Sequence, residues 1–441
     1  MVDALGIVLT WALAQSDVPP AAPPEAAAPA APPPIPEDAH VSRPPGILDP
    51  FEPLAKARQQ WADGGFQFSL NLTIDGGYNF TGGNQAGGYV AGLLTATIAI
   101  DTERLAKWKG GTFVTTWQSY YETNPGPFNL IPDWWGYDGI ATGFGDINQV
   151  SECYYRQTLL DDALTVIFGK QDACNNFLMP LGSDNGFVNT MTMYPAGMMP
   201  YVPSYPDQAM GLVITGRPTD WLDLKLGWFD GTTAYSPNGE FPHSTGSLGP
   251  GTFFDNPGSW FFIGEAETSW SLGEGLGGSF GVGGWWQTGP SVGMGFNMMD
   301  PMMVSDGVGG YYIQGAQRIY NPEPSSATAQ GLQVFGQFGW QKPSANPVHW
   351  SMLGGLQYTG LIPGRANDTV GLGVGYASFS DSGMAYRGVP NLYELAIEAY
   401  YRIAITPWMT LQPDLQVVST PIGDAQAPTA VIGILRLSIN F

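Results

Sequence analysis

The stretch Ala430–Phe441, AVIGILRLSINF, alternates as a β-strand does. Leu435 and Leu437 fall on one face, and Arg436 falls on the other, because side chains alternate with a period of two along a strand. One face is therefore apolar and the other is partly polar. The aromatic residue that follows is typical of the last strand of a bacterial outer-membrane β-barrel. The last strand of a soluble β-sandwich would alternate in the same way.

The composition favours the barrel. Charged residues make up only 12% of the 441 residues, whereas aromatic residues make up 13% and glycine occurs 60 times. The mean hydropathy is close to zero, and no apolar run approaches the roughly 20 residues of a transmembrane helix. Such a chain suits a barrel with lipid outside and water inside. The net charge of −22 argues against nucleic acid as a partner, because phosphate contacts require Lys and Arg.

The same alternation recurs along the chain from Phe66 onward. It is clearest in five segments, at residues 66–75, 222–228, 332–340, 370–376 and 395–403. A membrane-spanning strand needs roughly ten residues, and bacterial barrels have an even number of strands. We therefore predict an all-β fold, a transmembrane antiparallel β-barrel of about 16 strands over residues 64–441.

The connections between these segments differ in length. Short connections are expected at residues 160–163, 218–220, 273–275 and 406–408, and long ones at 122–149, 173–208, 231–258 and 289–308. Alternation of short and long connections predicts one rim of short periplasmic turns and one rim of long extracellular loops. The last strand should close the barrel by pairing with the strand that starts near Phe66, with Arg436 facing the lumen.

The N-terminal residues form three predicted segments. Residues 1–14 resemble a signal peptide, with a short apolar stretch and an Ala12-Leu13-Ala14 cleavage site, although they lack the usual positive charge. Residues 15–45 are rich in Pro and Ala and predict a flexible linker. Residues 46–63 predict a short helix that ends at a pair of glycines.

Cys153 and Cys174 are the only cysteines. In an exported protein, two cysteines that flank a predicted hairpin favour a disulfide, here at the roots of two long loops. Two unpaired thiols are the alternative.

The sequence gives no sign of catalysis. Glu265 with Glu267, and Glu394 with Glu398, have the spacing of paired carboxylates on one face of a strand, which a glycosidase would use. A water-filled lumen explains these glutamates without catalysis. The three histidines are scattered, and no nucleotide-binding or hydrolase motif is present. We therefore expect no enzyme activity, no metal and no cofactor.

Several longer motifs resemble the carbohydrate-selective (OprB-type) porins of Gram-negative outer membranes. They occur in the order expected for that family, from about Ile47 to Phe441. The motifs are PLAKARQQWADGGFQFSLNLTIDGGYNFTGG, YVAGLLTATIAIDTERLAKWKGGTFVTTW, LTVIFGKQDACNNF, Gly364-Arg365 with DTVGLG, and ELAIEAYYRIAITPWMTLQPDLQVVSTPIG.

This resemblance implies a sixteen-stranded barrel for passive uptake of mono- or oligosaccharides across the outer membrane. Its partners would be sugars, membrane lipid and the barrel-assembly machinery, which would act through the strand that ends at Phe441. A homotrimer would be compatible with the porin class. Two alternatives remain at this point: a general diffusion porin with mild cation preference, and a secreted β-rich sugar-binding protein or glycosidase.

Strand parity and loop composition nominate the residues that would line the pore or contact sugar. By parity, Lys170 and Asp172 would point to lipid, so we predict a bulge near Gly169 that turns them inward. Trp134 and Trp135, in an acidic loop, would either stack against sugar or form part of an interfacial aromatic girdle. The remaining candidates share inward parity: Arg156, Glu265, Glu267, Arg318, Glu394, Glu398, Arg402, Asp414, Gln416 and Arg436.

Overall fold

The computed structural model describes residues 58–441 except 59, 144, 179–185, 232–249, 255–258, 294–301, 325–329, 344–345, 381–384, 387–388, 391–392 and 441. The described residues belong to one compact unit, Glu37–Phe441. The predicted signal peptide at 1–14 and linker at 15–45 lie outside the described residues, as does most of the predicted helix at 46–63. Arg58 and residues 60–63 are helical. The terminal Phe441 is also outside the described part.

Sixteen antiparallel strands form one closed barrel, which confirms the predicted fold. Two further strands of two residues each, β14 and β15, lie between β13 and β16 in the chain. They pair with each other and form a separate sheet. The strands are β1 Phe66–Thr81, β2 Gly87–Asp101, β3 Gly111–Glu122, β4 Ile147–Leu159, β5 Leu164–Gln171, β6 Ala209–Thr219, β7 Leu222–Asp230, β8 Trp260–Ser271, β9 Gly277–Gly293, β10 Met302–Tyr320, β11 Gly331–Gln341, β12 Val348–Thr359, β13 Thr369–Phe379, β14 Ala385–Tyr386, β15 Val389–Pro390, β16 Tyr393–Thr406, β17 Met409–Ser419 and β18 Ala430–Asn440.

Three short helices lie in the described connections: α1 Thr102–Ala106, α2 Pro127–Leu130 and α3 Pro250–Phe254. The described residues also contain four single turns of 3₁₀-helix, at Ala173–Asn175, Thr190–Thr192, Ala196–Met198 and Pro421–Gly423. Within the described part of the chain, no helix has the length and apolarity required to cross a membrane.

The barrel is closed by the predicted pairing of its first and last strands. β1 pairs with β18 from Asn71 opposite Asn440 to Thr81 opposite Val431, with one register shift near Asn79. Alternation along β18 places Leu435 outward, with 49% of its surface exposed, and buries Ile434 inside the barrel. β18 therefore presents an apolar outer face and contributes its other face to the interior.

The long connections lie at one end of the barrel, which we call the long-loop end; the opposite end is the short-turn end. The predicted alternation of lengths is not strict, because the connections 82–86 and 342–347 at the long-loop end are short. The predicted long loop at 289–308 is wrong. β9 and β10 continue through most of it, because two register shifts in β10 accommodate its irregular residues, including Gly307 with φ of 81°.

Candidate functional site: the loop-filled half of the lumen

Two long connections, residues 123–146 and 172–208, fold back into the barrel. Their apolar side chains pack against inward-pointing strand residues in three buried clusters spread around the wall. In one cluster, Phe177 of the second loop lies against Phe229 and Phe261, which oppose each other on β7 and β8. The interior is therefore filled at the long-loop end, and these two loops narrow the lumen there.

Glycines on the inner face of β13 let the second loop lie directly on the wall. A Cβ atom at Gly373 would lie 2.6 Å from Cε1 of Phe187, and one at Gly375 would lie 3.0 Å from Sδ of Met191. Both neighbours belong to the 172–208 loop. The loop thus occupies space that any larger wall residue would fill, since interiors are close-packed.

Glu394, at the long-loop end of β16, binds the backbone of two connections. Its carboxylate accepts hydrogen bonds from the amide N of Trp134 at 2.8 Å and of Trp135 at 3.4 Å, both in the 123–146 loop. It also accepts one from the amide N of Ile422 at 2.6 Å, in the β17–β18 connection. The side chain is fully buried. Glu394 therefore anchors loop backbone to the wall.

Glu398, four residues further along β16 and on the same face of the strand, anchors the other inward loop. It accepts hydrogen bonds from the amide N of Val188 at 2.6 Å and of Asn189 at 3.0 Å. Beside it, Gln416 on β17 accepts from Nδ2 of Asn189 at 3.1 Å and donates to the carbonyl of Tyr137 at 2.8 Å. These contacts tie both loops to the same part of the wall.

Glu265 on β8 is the third anchor. It accepts a hydrogen bond from the amide N of Leu178 at 3.1 Å and one from the hydroxyl of Tyr312 at 2.7 Å. The ammonium group of Lys225 lies 2.8 Å from Glu265 and 2.7 Å from Glu267, so one cation pairs with both carboxyl groups. Loop amides outside regular structure need acceptors when buried, and ionised acceptors make the stronger hydrogen bonds.

Arg436 joins the closing seam of the barrel to the 123–146 loop. Its Nη2 lies 2.6 Å from Oδ2 of Asp75, directly across the β1–β18 pairing, and 3.6 Å from Oδ1 of Asp138 in the loop. Asp75 and Asp138 are both buried. Burial, together with the Asp75 charge, raises the pKa of Asp138 well above its ordinary value, although Arg436 acts in the opposite direction.

Lys170 and Asp172 lie where the second inward loop begins. Both side chains are buried; Nζ of Lys170 donates to the carbonyl of Val150 at 2.8 Å. The predicted bulge near Gly169 is wrong, because β5 pairs through it with both neighbours without a register shift. Instead, Gly169 has φ of 140°, a conformation that L side chains rarely adopt.

The Asp172 carboxylate organises the start and end of the second loop. It accepts hydrogen bonds from the amide N of Cys174 at 2.8 Å, from Oγ of Ser204 at 3.1 Å and from the amide N of Tyr205 at 3.0 Å. Burial, with a smaller contribution from the charge of Glu152, raises the pKa of Asp172 to about 7. Burial also raises the pKa of Asp207, near the loop's end, to about 7.

Three inward arginines lie in the opposite half of the lumen. Arg156, Arg318 and Arg402 each lie within four residues of the short-turn end of their strands, and each is partly exposed. Nη2 of Arg318 lies 3.4 Å from Oε1 of Gln333, and Nη2 of Arg402 lies 3.4 Å from Oγ1 of Thr369. This half presents guanidinium, amide and hydroxyl groups where the other half presents buried loops.

The sequence model of the carbohydrate-selective porin, OprB family matches residues 85–441. The chain belongs to that family. Porin B of Pseudomonas aeruginosa is 22% identical over 149 residues, which are 30% of this chain and 32% of that protein. The chain therefore matches about a third of the length of this curated relative.

Solved porins share the fold. The high-pH structure of Pseudomonas putida OprB superimposes with a TM-score of 0.74 at 18% identity, covering 88% of this chain and 97% of that chain. Salmonella typhi OmpF, in a complex with daunomycin, gives a TM-score of 0.52 at 8% identity, covering 86% of this chain and 99% of that chain. At such identities the likeness concerns the barrel architecture alone.

Trp134 and Trp135 of this porin are not placed as the sequence predicted. They are 3% and 2% exposed, and Trp134 packs edge-on against Phe379 while its Nε1 donates to the carbonyl of Ala196 at 2.8 Å. Neither ring is open to a sugar, and neither lies in an outer aromatic girdle. Both alternatives are therefore wrong: the two tryptophans pack the first loop against the second.

The predicted disulfide between Cys153 and Cys174 is also wrong, because both thiols are free. Cys153 is exposed on β4, next to the inward-facing Glu152, and so lies on the outer face of the porin wall. Cys174 is buried within the barrel, in the cluster that contains Phe177. Within the described ranges, no group of His, Cys, Asp and Glu could hold a metal ion.

Sequence reasoning missed the partners of the nominated residues. Asp75, Asp138 and Lys225 were not among the candidates, yet each forms an ion pair with one of them. Asp75 could have been predicted from the β1–β18 closure. An inward Arg436 on β18 favours an inward carboxyl group opposite it on β1. Nothing comparable places Asp138, which reaches Arg436 only because its loop folds inward.

Proposed function

We propose that this porin is an outer-membrane diffusion channel with a preference for carbohydrates, and that the 123–146 and 172–208 loops set its narrowest cross-section. The observation that carries the proposal is the anchoring of both loops inside the barrel by Glu394 and Glu398. Channel selectivity depends on pore width and on the polar groups at the narrowest point. Loops held in place by buried carboxylates give a defined width.

The route beyond the loops offers groups that bind sugar hydroxyls. We place Arg156, Arg318 and Arg402 along it, accompanied by the amide of Gln333 and the hydroxyl of Thr369. A guanidinium donates up to five hydrogen bonds, and hydroxyl and amide groups can both donate and accept, so the route suits a neutral, hydroxyl-rich solute.

Several acidic candidates have a different role in this proposal. Glu265, Glu394 and Glu398 are at most 4% exposed and already accept loop or wall hydrogen bonds, so we assign them to loop anchoring rather than to sugar contact. Asp414 accepts from Nε2 of Gln416 at 2.9 Å and belongs to the same network. In this proposal the chain performs no chemical step, and its residues only shape a passage.

Planar-bilayer recordings test the carbohydrate preference. We expect millimolar glucose or maltooligosaccharides to reduce the ion current of the full-length porin, because a sugar in the narrow region displaces ions. Buffer without sugar, adjusted to the same viscosity, serves as the control. Ion current unaffected by every sugar in the series would contradict the preference while leaving the barrel intact.

A general diffusion porin with mild cation preference is the second candidate. It is favoured by the net charge of −22 and by aspartates in the inward loops, which include Asp133, Asp138, Asp172 and Asp207. The reversal potential across a KCl gradient separates the candidates. Strong cation preference without any sugar block supports the second, and anion preference rejects it.

A further inference from the structure

The outer face of the barrel contains a pocket floored by two glycines. Gly264 on β8 and Gly284 on β9 are direct cross-strand partners, and both point outward, away from the lumen. The cavity above them has a volume of about 520 Å³. We call it the outer glycine pocket.

Apolar side chains surround the pocket on three sides. Leu226 is the cross-strand neighbour of Gly264, and Phe262 and Trp286 lie one alternation nearer the long-loop end. These three side chains are 65%, 42% and 50% exposed. They stand beside glycines that carry no side chain, so the surface is concave at this point.

A segment of the β7–β8 connection borders this surface at the long-loop end. Phe253 of α3 is only 7% exposed, because its ring packs against outward-facing Trp228 and Trp260, with ring centroids 5.2 and 5.3 Å apart. Trp228 also lines the pocket. The helix α3 therefore lies against the outer wall, and the aromatic row beneath it limits the pocket on that side.

We propose that the outer glycine pocket binds one acyl chain of a membrane lipid as a specific site. This inference rests on the outer-membrane location of the proposed function. The pocket is continuous with the exposed apolar belt, and no charged side chain among the described residues lines it. Its occupant must therefore be apolar, and the belt around it is the surface that lipid covers.

The glycines allow a test that fills the pocket without straining the wall. An added Cβ at Gly264 would lie 3.4 Å from Cδ2 of Leu226, and one at Gly284 would lie 3.5 Å from the carbonyl of Gly310, both ordinary contacts. The variant Gly264→Leu/Gly284→Leu should therefore fold. Gly76→Leu/Gly92→Leu is the matched control, because it adds the same side chains to the outer wall at two open positions on β1 and β2.

Native mass spectrometry of the detergent-solubilised, full-length porin measures the binding. We titrate it with phosphatidylethanolamine carrying 16- and 18-carbon chains as the probe. The pocket-filling variant should lose about tenfold in affinity for the first lipid, which corresponds to burying roughly two methylene groups fewer. The control should bind as the unaltered porin does. Trp286→Ala removes one side of the pocket instead of filling it, and should also weaken binding of the first lipid.

Three results would overturn the proposal. Equal lipid retention by the porin, the filled variant and the control would mean that only nonspecific surface lipid is bound. Equal loss in the filled variant and the control would mean that the effect does not belong to the pocket. An oligomer that dissociates only in the filled variant would identify a second copy of the chain as the occupant. Sugar block of the ion current, measured on the same variants, reports separately on the proposed function.

Discussion

The same strands form both halves of the lumen, but the side chains that they place in the two halves differ. At the long-loop end, inward residues include apolar side chains, glycines, buried amides and buried carboxyl groups that accommodate or bind a loop. At the short-turn end, partly exposed arginines project from the same strands. β16 contains both: Glu394 and Glu398 bind loop amides, whereas Arg402, four residues further on, lies beside Thr369.

This difference indicates that one half of the lumen sets the width of the channel and the other half sets its selectivity. In the loop-filled half, the loop backbone has been desolvated and needs acceptors, so wall carboxylates determine where the loops sit. In the open half, side chains keep contact with water, and their charges would act on a solute in the proposed passage. Changes in the first half should alter channel width, and changes in the second should alter selectivity.

The largest effect is expected from releasing the loops. In Glu394→Ala/Glu398→Ala, five buried backbone amides lose their carboxyl acceptor, and each amide left without a partner costs about 1–3 kcal/mol. The loops should detach from the wall, and single-channel conductance in planar bilayers should rise. Sugar block should weaken in the same recordings.

Glu267→Ala is the matched control for loop release, because Glu267 binds Lys225 and accepts no hydrogen bond from a described loop amide. Its conductance should stay near that of the unaltered porin. If the double variant conducts no better than this control, the loops do not depend on the two glutamates.

Arg436→Gln should have the next largest effect. It leaves Asp75 and Asp138 buried without their cation, and loss of one partner of a buried ion pair costs about 3–5 kcal/mol. The temperature at which the barrel loses its compact electrophoretic mobility should fall. Arg402→Gln, at a partly exposed position, should shift it much less; equal shifts for both would show that burial of the seam is not the cause.

A smaller effect is expected from pH through Asp172. Its pKa of about 7 in the folded chain exceeds the ordinary value of 3.8, so the folded state holds this proton more tightly than the unfolded state does. The contribution to stability is complete below about pH 4 and is lost as the pH rises through about 7. Denaturant midpoints should fall between pH 5 and pH 8, and less so in Asp172→Asn.

Asp220→Asn, in the exposed β6–β7 turn, is the control for this pH dependence. It should keep the full difference between pH 5 and pH 8. An Asp172→Asn variant with the same pH dependence as this control would refute the role of Asp172.

The smallest effect is expected from the open half. Arg318→Gln/Arg402→Gln removes two positive charges from partly exposed positions, so stability should change by less than about 1 kcal/mol. The reversal potential in a KCl gradient should nevertheless move toward cation preference. Conductance should stay close to its original value, in contrast to the loop-release variant; a large rise in conductance would remove the distinction between the two halves.

Much of the barrel could be predicted from sequence because strand periodicity is local. The alternation at residues 370–376 and 395–403 matches β13 and β16, and the inward position of Arg436 agrees with its pairing to Asp75. Local pattern failed where pairing tolerates irregularity: β9 and β10 extend through residues that were assigned to a loop, because bulges maintain the ladder.

The loop-filled half was harder to predict, because parity gives the direction of a side chain but not what it meets. Glu394 and Glu398 point inward as expected, but whether an inward carboxylate faces water or a loop amide depends on long-range folding. The same limit explains Trp134 and the two cysteines. A loop that enters the barrel buries its own residues, and composition alone could not distinguish it from a loop that stays outside.

The ion pair between Arg436 and Asp75 also has a consequence for the order of assembly. It joins the two strands that are farthest apart in sequence, whereas the other barrel pairs connect neighbours along the chain. Pairing over so long a separation has the greatest chain-closure cost and is therefore expected last. Asp138 can contact the paired Asp75 and Arg436 only after these two strands have joined. The 123–146 loop should thus settle into place only after the barrel has closed, so that narrowing of the channel is the final stage of its maturation.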